Sequence, residues 1–236
     1  YELNMIIYIE GNIGAGKTTF IEAFEKYFKR KNISNAFIKR EPVDQWLSTT
    51  DSTGKNLLEY FYSDTKKYGF AFQMNAFISR TNDILNMIKQ NGSEYPRVFN
   101  FVERSVYTDK NVFMECNFRR GNITEIEYNI YQTWFDVFSK QFNLNGDVII
   151  YLKTKGGICD ERIKNRNRTE ESGIPIDYLD ELDNLHNIWI GNEKSNGKHV
   201  IEIDAKQDFI KFPEKMEAEF DKIINYILKI PLGTLM

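Results

Sequence analysis

Two kinds of apolar spacing alternate along this chain. Short continuous runs, Met5 to Glu10, Ala36 to Arg40, Arg97 to Val102, Asp147 to Leu152 and His199 to Ile203, have the length and composition of buried strands. Elsewhere apolar residues recur at three- and four-residue spacing, which predicts helices. Phe20, Ala23, Phe24, Tyr27 and Phe28 form one stripe running to Arg30. The stretch from Asn56 to Gln90 is helical in character, its apolar residues running from Leu57, Leu58 and Phe61 through Phe70, Phe72, Met74, Phe77 and Ile78 to Ile84, Leu85 and Ile88, with most of the aromatics read as core. A helix is predicted from a capping Thr124 to Phe142, with Ile126, Ile130, Trp134 and Val137 as its apolar stripe, and a closing helix from Glu214 to Ile230. Strands alternating with helices predict an α/β fold with a parallel sheet covered on both faces, because parallel neighbours need crossover connections.

The first apolar run leads directly into Gly11, Asn12, Ile13, Gly14, Ala15, Gly16, Lys17, Thr18 and Thr19, which fit G-x-x-x-x-G-K-[ST]. The glycines let successive backbone N–H groups face a triphosphate, Lys17 reaches its outer phosphates, and the Thr18 hydroxyl ligates Mg²⁺. A glycine turn merely joining strand to helix would not account for Lys17 followed by two threonines. The strand before the loop and the helix after it supply the context the motif demands.

Acids fall at two other predicted strand ends. Glu41 follows the second strand, and Glu103-Arg104-Ser105 follows the third. In an open parallel sheet ligands bind at that edge, so Glu41 either reaches the end of the phosphate loop or is a solvated strand-end glutamate. Glu103 is placed to complete a Mg²⁺ shell, with Arg104 free to meet phosphate or an attacking hydroxyl. Gln73 and Arg80 stand two helical turns apart on one face, either exposed or reading the polar edge of a base. Arg162 and Arg166 share a helical face with Arg168 just beyond, which favours a lid over the phosphates above a merely solvated helix.

Composition narrows the setting. At 236 residues with no Pro- or Gly-rich linker, residues 1–236 read as one domain. A net charge of −3 argues against a polymeric nucleic-acid partner, whose backbone demands excess Lys and Arg. No apolar stretch approaches the ~20 residues of a membrane span. Cys116 and Cys159 lack metal spacing, and Cys159 lies in a polar stretch, so both read as structural or incidental free thiols of a reducing compartment. His186 and His199 are isolated and are assigned no role. A cytoplasmic protein is expected, and a mitochondrial one is compatible with a chain that starts almost on its first strand.

Together these residues resemble the deoxyribonucleoside kinases of the deoxycytidine, deoxyguanosine and mitochondrial-type thymidine kinase group. The resemblance covers nearly the whole chain. It rests on the phosphate loop, Glu41-Pro42-Val43 with Trp46, Asn56-Leu57-Leu58, Phe70-Ala71-Phe72-Gln73, Glu103-Arg104-Ser105-Val106-Tyr107, Ile130-Tyr131-Gln132-Thr133-Trp134, the arginines and Gly173-Ile174-Pro175. It implies a three-layer P-loop kinase fold with a five-stranded parallel sheet, a helical lid at about residues 162–172, ATP or another triphosphate as donor, Mg²⁺, and a homodimer. Glu41 would act as base for the nucleoside 5′-hydroxyl with Arg104 beside it, and Glu103 would join Thr18 at the metal. Tyr62 and Glu171 would hold the sugar 3′-hydroxyl, Gln73 would pair with the base, and Trp46, Phe72 and Phe113 would wall it. Ala76, Arg80 and Asp109 look like the deoxycytidine and deoxyguanosine branch, so thymidine is expected to be the poorer substrate. Feedback inhibition by a deoxynucleoside triphosphate is implied too. The rival readings are a nucleoside monophosphate kinase and a noncatalytic kinase-like subunit.

Overall fold

The structure is a computed structural model that describes residues 3–91, 95, 97–166, 173–206 and 213–230. Five strands, β1 (Leu3–Glu10), β2 (Ala36–Lys39), β3 (Arg97–Glu103), β4 (Val148–Lys153) and β5 (His199–Asp204), form one all-parallel sheet in the order β2-β3-β1-β4-β5. The apolar runs therefore mark the strands, and the α/β reading holds.

The period-2 pleat of β1 builds the three layers. Met5, Ile7 and Ile9 pack with Phe20, Phe24 and Phe28 of α1 (Lys17–Lys31) and with Phe220 and Ile223 of α10 (Pro213–Leu228). Ile6 and Tyr8 face the other way, against Phe77 and Ile84 of α4 (Thr65–Asn91) and Tyr131 and Phe135 of α7 (Glu125–Phe142). With both faces covered, β1 is a continuous apolar run.

Several elements differ from the sequence reading. The stretch from Asn56 to Gln90 is two helices: α3 (Leu57–Ser63), started by an Asn56–Glu59 capping box, ends at Asp64, where φ is −152°, before α4 begins. Phe61, Phe72 and Phe77 are buried as expected, while Ile78 is exposed. A short α2 (Val43–Ser48) follows β2. After β3 come α5 (Val106–Thr108), a π-helical turn (Asp109–Met114) and α6 (Glu115–Arg119), and α8 (Gly156–Arg166) and α9 (Ile176–Ser195) separate the last two strands. Thr124 caps α7 as predicted, but Ile126, Ile130, Trp134 and Val137 point outward while Tyr131 and Phe135 face the core. Cys159 is fully buried beneath the phosphate loop with Ala15, Ile163 and Leu179, so of the two readings the sequence left open, structural or incidental, the packing supports the structural one.

Candidate active site

Loop residues 11–16 lie at the carboxyl edge of the sheet, between the end of β1 and the start of α1. Gly14 has φ 75°, and a Cβ there would stand 2.6 Å from the Cys159 carbonyl oxygen; Gly16, the N-cap of α1, has φ 91°. Only glycine suits both conditions. Asn12 ties the loop down, its Nδ2 donating to the Leu179 carbonyl at 2.8 Å and its Oδ1 accepting from the Ile13 N–H at 2.8 Å. The buried Lys17 ammonium donates to the carbonyls of Gly11 (3.1 Å) and Asn12 (2.9 Å). Burial, and then the nearby Arg104 charge, lower its pKa to about 8. A polyanion at the loop would relieve both effects.

Sheet register sets the acids. Lys39 of β2 pairs with Val102 of β3, so the chain continuing past β2 brings Glu41 alongside Glu103 and Arg104. The Glu41 N–H donates to Glu103 Oε2 at 3.4 Å. Arg80 reaches this corner from α4: its Nη2 donates to Glu41 Oε1 at 3.0 Å, its Nη1 to the Glu103 carbonyl at 3.2 Å, and its Nε and Nη2 fork onto the Asp109 carboxylate at 2.9 and 3.2 Å. Arg104 Nε lies 3.2 Å from Glu41 Oε1 without hydrogen-bond alignment, and its guanidinium stacks 4.8 Å from the Phe113 ring. Burial alone would raise the Glu41 pKa, but Arg104, Arg80 and Lys17 outweigh it and bring it to about 2. At Arg80 burial opposes the charge, while Asp109 and Glu41 hold it firmly cationic. For Asp109 burial pushes the carboxyl up against the Arg80 fork. Arg104 sits at φ 61°, a left-handed conformation that costs a residue with a Cβ on the order of 1–3 kcal/mol and that clusters at functional sites.

These groups open onto one cavity of about 900 Å³ that runs from Gly14, Gly16, Lys17, Thr18 and Thr19 past Glu41, Glu103 and Arg104 to Trp46, Tyr62, Phe72, Gln73, Ala76, Arg80, Asp109 and Phe113. Trp46 is held by Nε1–H donating to Ser79 Oγ at 2.9 Å and meets Phe72 edge-on at 5.3 Å between ring centres. The buried Gln73 Oε1 has no hydrogen-bond partner among the described residues. A buried amide oxygen without a partner is costly, which suits one that waits for a ligand.

Arg162 and Arg166 of α8 also line the cavity. Arg162 is already engaged: Nη1 donates to the Ala15 carbonyl at 3.2 Å and Nη2 to that of Ala205 at 2.8 Å, fastening α8 to the phosphate loop and to the end of β5. Arg168 and Glu171 lie outside the described residues. Tyr178 of α9 lines the same cavity and was not singled out in the sequence; the helical spacing of Leu179, Leu182, Leu185 and Trp189 behind it was the available signal. The residues present fit magnesium carried on a phosphate chain. Among the described residues no cluster of three His, Cys, Asp or Glu could cage a metal, whereas a hydroxyl and a carboxylate beside a phosphate loop suffice for Mg²⁺.

A parallel sheet whose first strand enters a glycine loop, with a buried lysine, an acid at the neighbouring strand tip and a pocket alongside, defines a P-loop phosphotransferase. The chain belongs to the deoxynucleoside kinase family, whose sequence model matches residues 7–229. It is 34% identical to deoxycytidine kinase 2 of Gallus gallus, over 94% of this chain and 89% of that protein. It is 31% identical to deoxycytidine kinase 1 of Xenopus laevis over the same shares, and 29% identical to the mitochondrial thymidine kinase 2 of Homo sapiens over 95% of this chain and 79% of that one. The protein is a kinase that phosphorylates deoxynucleosides from a nucleoside triphosphate, as the resemblance implied. No helix among the described residues is long and apolar enough to cross a membrane.

Proposed function

We propose that this enzyme transfers the γ-phosphoryl of ATP to the 5′-hydroxyl of deoxycytidine or a purine deoxynucleoside in preference to thymidine. Relatives of both names are similar to the chain, so the preference rests on the pocket. The observation that carries it is the buried Arg80–Asp109 fork lining the same cavity as the unpartnered Gln73 Oε1. Carboxylate and amide oxygens accept a hydrogen bond from an exocyclic amine, which cytosine and adenine carry; thymine presents the O4 acceptor and a methyl group instead.

In this reading Glu41 and Arg104 meet the 5′-hydroxyl, Glu41 accepting its proton and Arg104 orienting it. Phosphoryl transfer passes through a loose transition state, so alignment and charge neutralisation outweigh deprotonation, in keeping with a Glu41 carboxylate held at a low pKa. Lys17, Arg162, Arg166 and Arg168 supply cationic donors to the donor phosphates, and Mg²⁺, held by Thr18 and Glu103, neutralises phosphate charge when bound. Trp46, Phe72 and Phe113 enclose the base, while Tyr62 and Glu171 take the sugar 3′-hydroxyl. Residues 1–236 act as one kinase domain with its lid near 162–172. The buried, unpaired Cys116 and Cys159 suit a reducing, cytoplasmic setting.

A panel of the four deoxynucleosides with ATP and Mg²⁺ tests the preference. Thymidine is expected to fall at least about tenfold below the best substrate in kcat/KM, roughly 1.4 kcal/mol of discrimination. Thymidine used equally well would overturn it. Removing one member of a buried ion pair costs ~3–5 kcal/mol, so the informative variant replaces both, Arg80→Val with Asp109→Ala. Arg80 also holds Glu41, and that loss lowers turnover with every substrate. The ratio of thymidine to deoxycytidine cancels this common loss and should narrow or reverse.

A further inference from the structure

Glu10, the last residue of β1, has a fully buried carboxylate and lies outside the roles assigned above. Its Oε1 accepts from the Ser105 N–H at 2.8 Å and its Oε2 from the Thr108 hydroxyl. One residue earlier, the Ile9 carbonyl accepts from the Arg104 N–H at 3.0 Å. The last two residues of the central strand thus hold both amide N–H groups that flank the Arg104 Cα. Fixing both peptide planes leaves Arg104 little choice of φ and ψ, and this is the residue found at φ 61°. Thr108, the second partner, ends α5 just before Asp109, so the same carboxylate anchors the start of the segment that carries the Arg80 partner. Ser105 Oγ accepts from the Thr108 N–H at 3.2 Å and closes the turn on itself.

We infer that Glu10 is a positioning residue for phosphoryl transfer: its buried carboxylate clamps Ser105 and Thr108 and so holds Arg104 in the left-handed conformation that aims the guanidinium between Glu41 and Phe113. This rests on the reading that Arg104 serves the acceptor hydroxyl. A strained backbone persists only where its surroundings over-determine it, and the clamp is that surrounding. An apolar residue ending a buried strand would offer Ser105 and Thr108 no acceptor. Burial pushes the Glu10 carboxyl up, with Ser105, Thr108 and the Arg104 charge opposing.

The test is a double-mutant cycle in steady-state kinetics with Glu10→Gln and Arg104→Met, singly and together, using the best deoxynucleoside with ATP and Mg²⁺. Glu10→Gln keeps shape and one acceptor. It is expected to lower kcat at least about tenfold with the nucleoside KM within about threefold, and to lower kcat less than about threefold when Arg104 is already Met. A merely structural loss shrinks the active fraction equally in both backgrounds, so a Glu10→Gln effect undiminished by Arg104→Met overturns the proposal. A raised KM with unchanged kcat overturns it as well. Arg104→Met without effect on kcat would instead remove the Arg104 reading on which it stands, a separate and distinguishable failure. Should Glu10→Gln not fold, Thr108→Val removes only the hydroxyl partner and carries the same cycle, with an expected loss of about three- to tenfold that again vanishes beside Arg104→Met.

Discussion

Glu41 is a carboxylate among three cations, and that placement limits what it does. With a pKa of about 2 it stays ionised at any working pH, yet it is a weak base. Glu41→Gln is therefore expected to lower kcat by about 10²-fold, the low end of general-base contributions, while nucleoside affinity changes less than about threefold. A kcat within about threefold of the parent would show that Glu41 takes no part in proton transfer. His186 makes a different prediction. Its imidazole is fully buried, Nδ1 sits 2.7 Å from the Leu182 carbonyl, and burial, with Arg104 next, lowers its pKa to about 3 from 6.5. The folded state holds it neutral while the unfolded chain takes up a proton, so this contribution to stability is full above about pH 6.5 and is lost as pH falls towards 3. Between pH 7 and 5 the loss is about 2 kcal/mol, at ~1.4 kcal/mol per pH unit below the unfolded pKa. Urea unfolding of the parent and of His186→Phe at both pH values should show the parent losing that much more; parallel slopes would refute it. At this scale the sequence reveals residues whose place follows from strand register, such as Glu41, Glu103 and Arg104. It hides those defined by a distant partner. Arg80 bonding to Glu41 depends on how α4 lies over the sheet edge, and Glu10 reads as an ordinary strand end because its partners come from beyond another strand.

Among the elements, strands were legible because burial on both faces leaves an uninterrupted apolar run. The helices of the second layer were harder to read. α7 has two apolar faces: Tyr131 and Phe135 pack on α4 and the sheet, while Ile126 (67% exposed), Ile130 (41%), Trp134 (48%) and Val137 (55%) form a second stripe facing outward. Periodicity alone could not tell which stripe was the core. The segment between Ser105 and Arg119 shows no helical period, because its π-helical turn changes the angular step and Val106, Thr108, Asp109, Val112 and Met114 are all buried. If the chain forms the homodimer that the resemblance implies, the outward stripe on α7, with the exposed Ile78 on neighbouring α4, is the face expected to meet the partner. Ile130→Glu with Trp134→Glu should convert a dimeric mass to a monomeric one in light scattering at micromolar concentration. Exposed positions of this kind should change monomer stability little, typically within ±0.5 kcal/mol each. A parent protein that is monomeric at that concentration would reject the dimer.

At the scale of the whole molecule, the phosphate loop and the proposed base pocket open onto one cavity, lined by Lys17 and Thr18, by Glu41 and Arg104, and by Gln73 and Asp109. In the proposed reading this continuity would bring a donor phosphate to an acceptor hydroxyl, and that reading has a regulatory corollary. A deoxynucleoside triphosphate carries both halves of the reaction in one molecule: its base and sugar suit the acceptor end, and its phosphates, passing Glu41 and Arg104, reach the glycine loop and the arginines of α8. Linking two occupants makes the second binding step intramolecular, so such a compound should bind more tightly than the deoxynucleoside alone. The triphosphate of the preferred deoxynucleoside is therefore expected to inhibit competitively against both the deoxynucleoside and ATP, since it occupies part of each site. It should also stabilise the fold by about 2.7 kcal/mol at a hundredfold excess over its dissociation constant, readable as a rise in thermal midpoint. Lys17→Ala should weaken the triphosphate far more than the deoxynucleoside, because only the former depends on the loop. Inhibition that was noncompetitive towards both substrates, or an equal loss of both ligands on Lys17→Ala, would place the inhibitor outside this cavity.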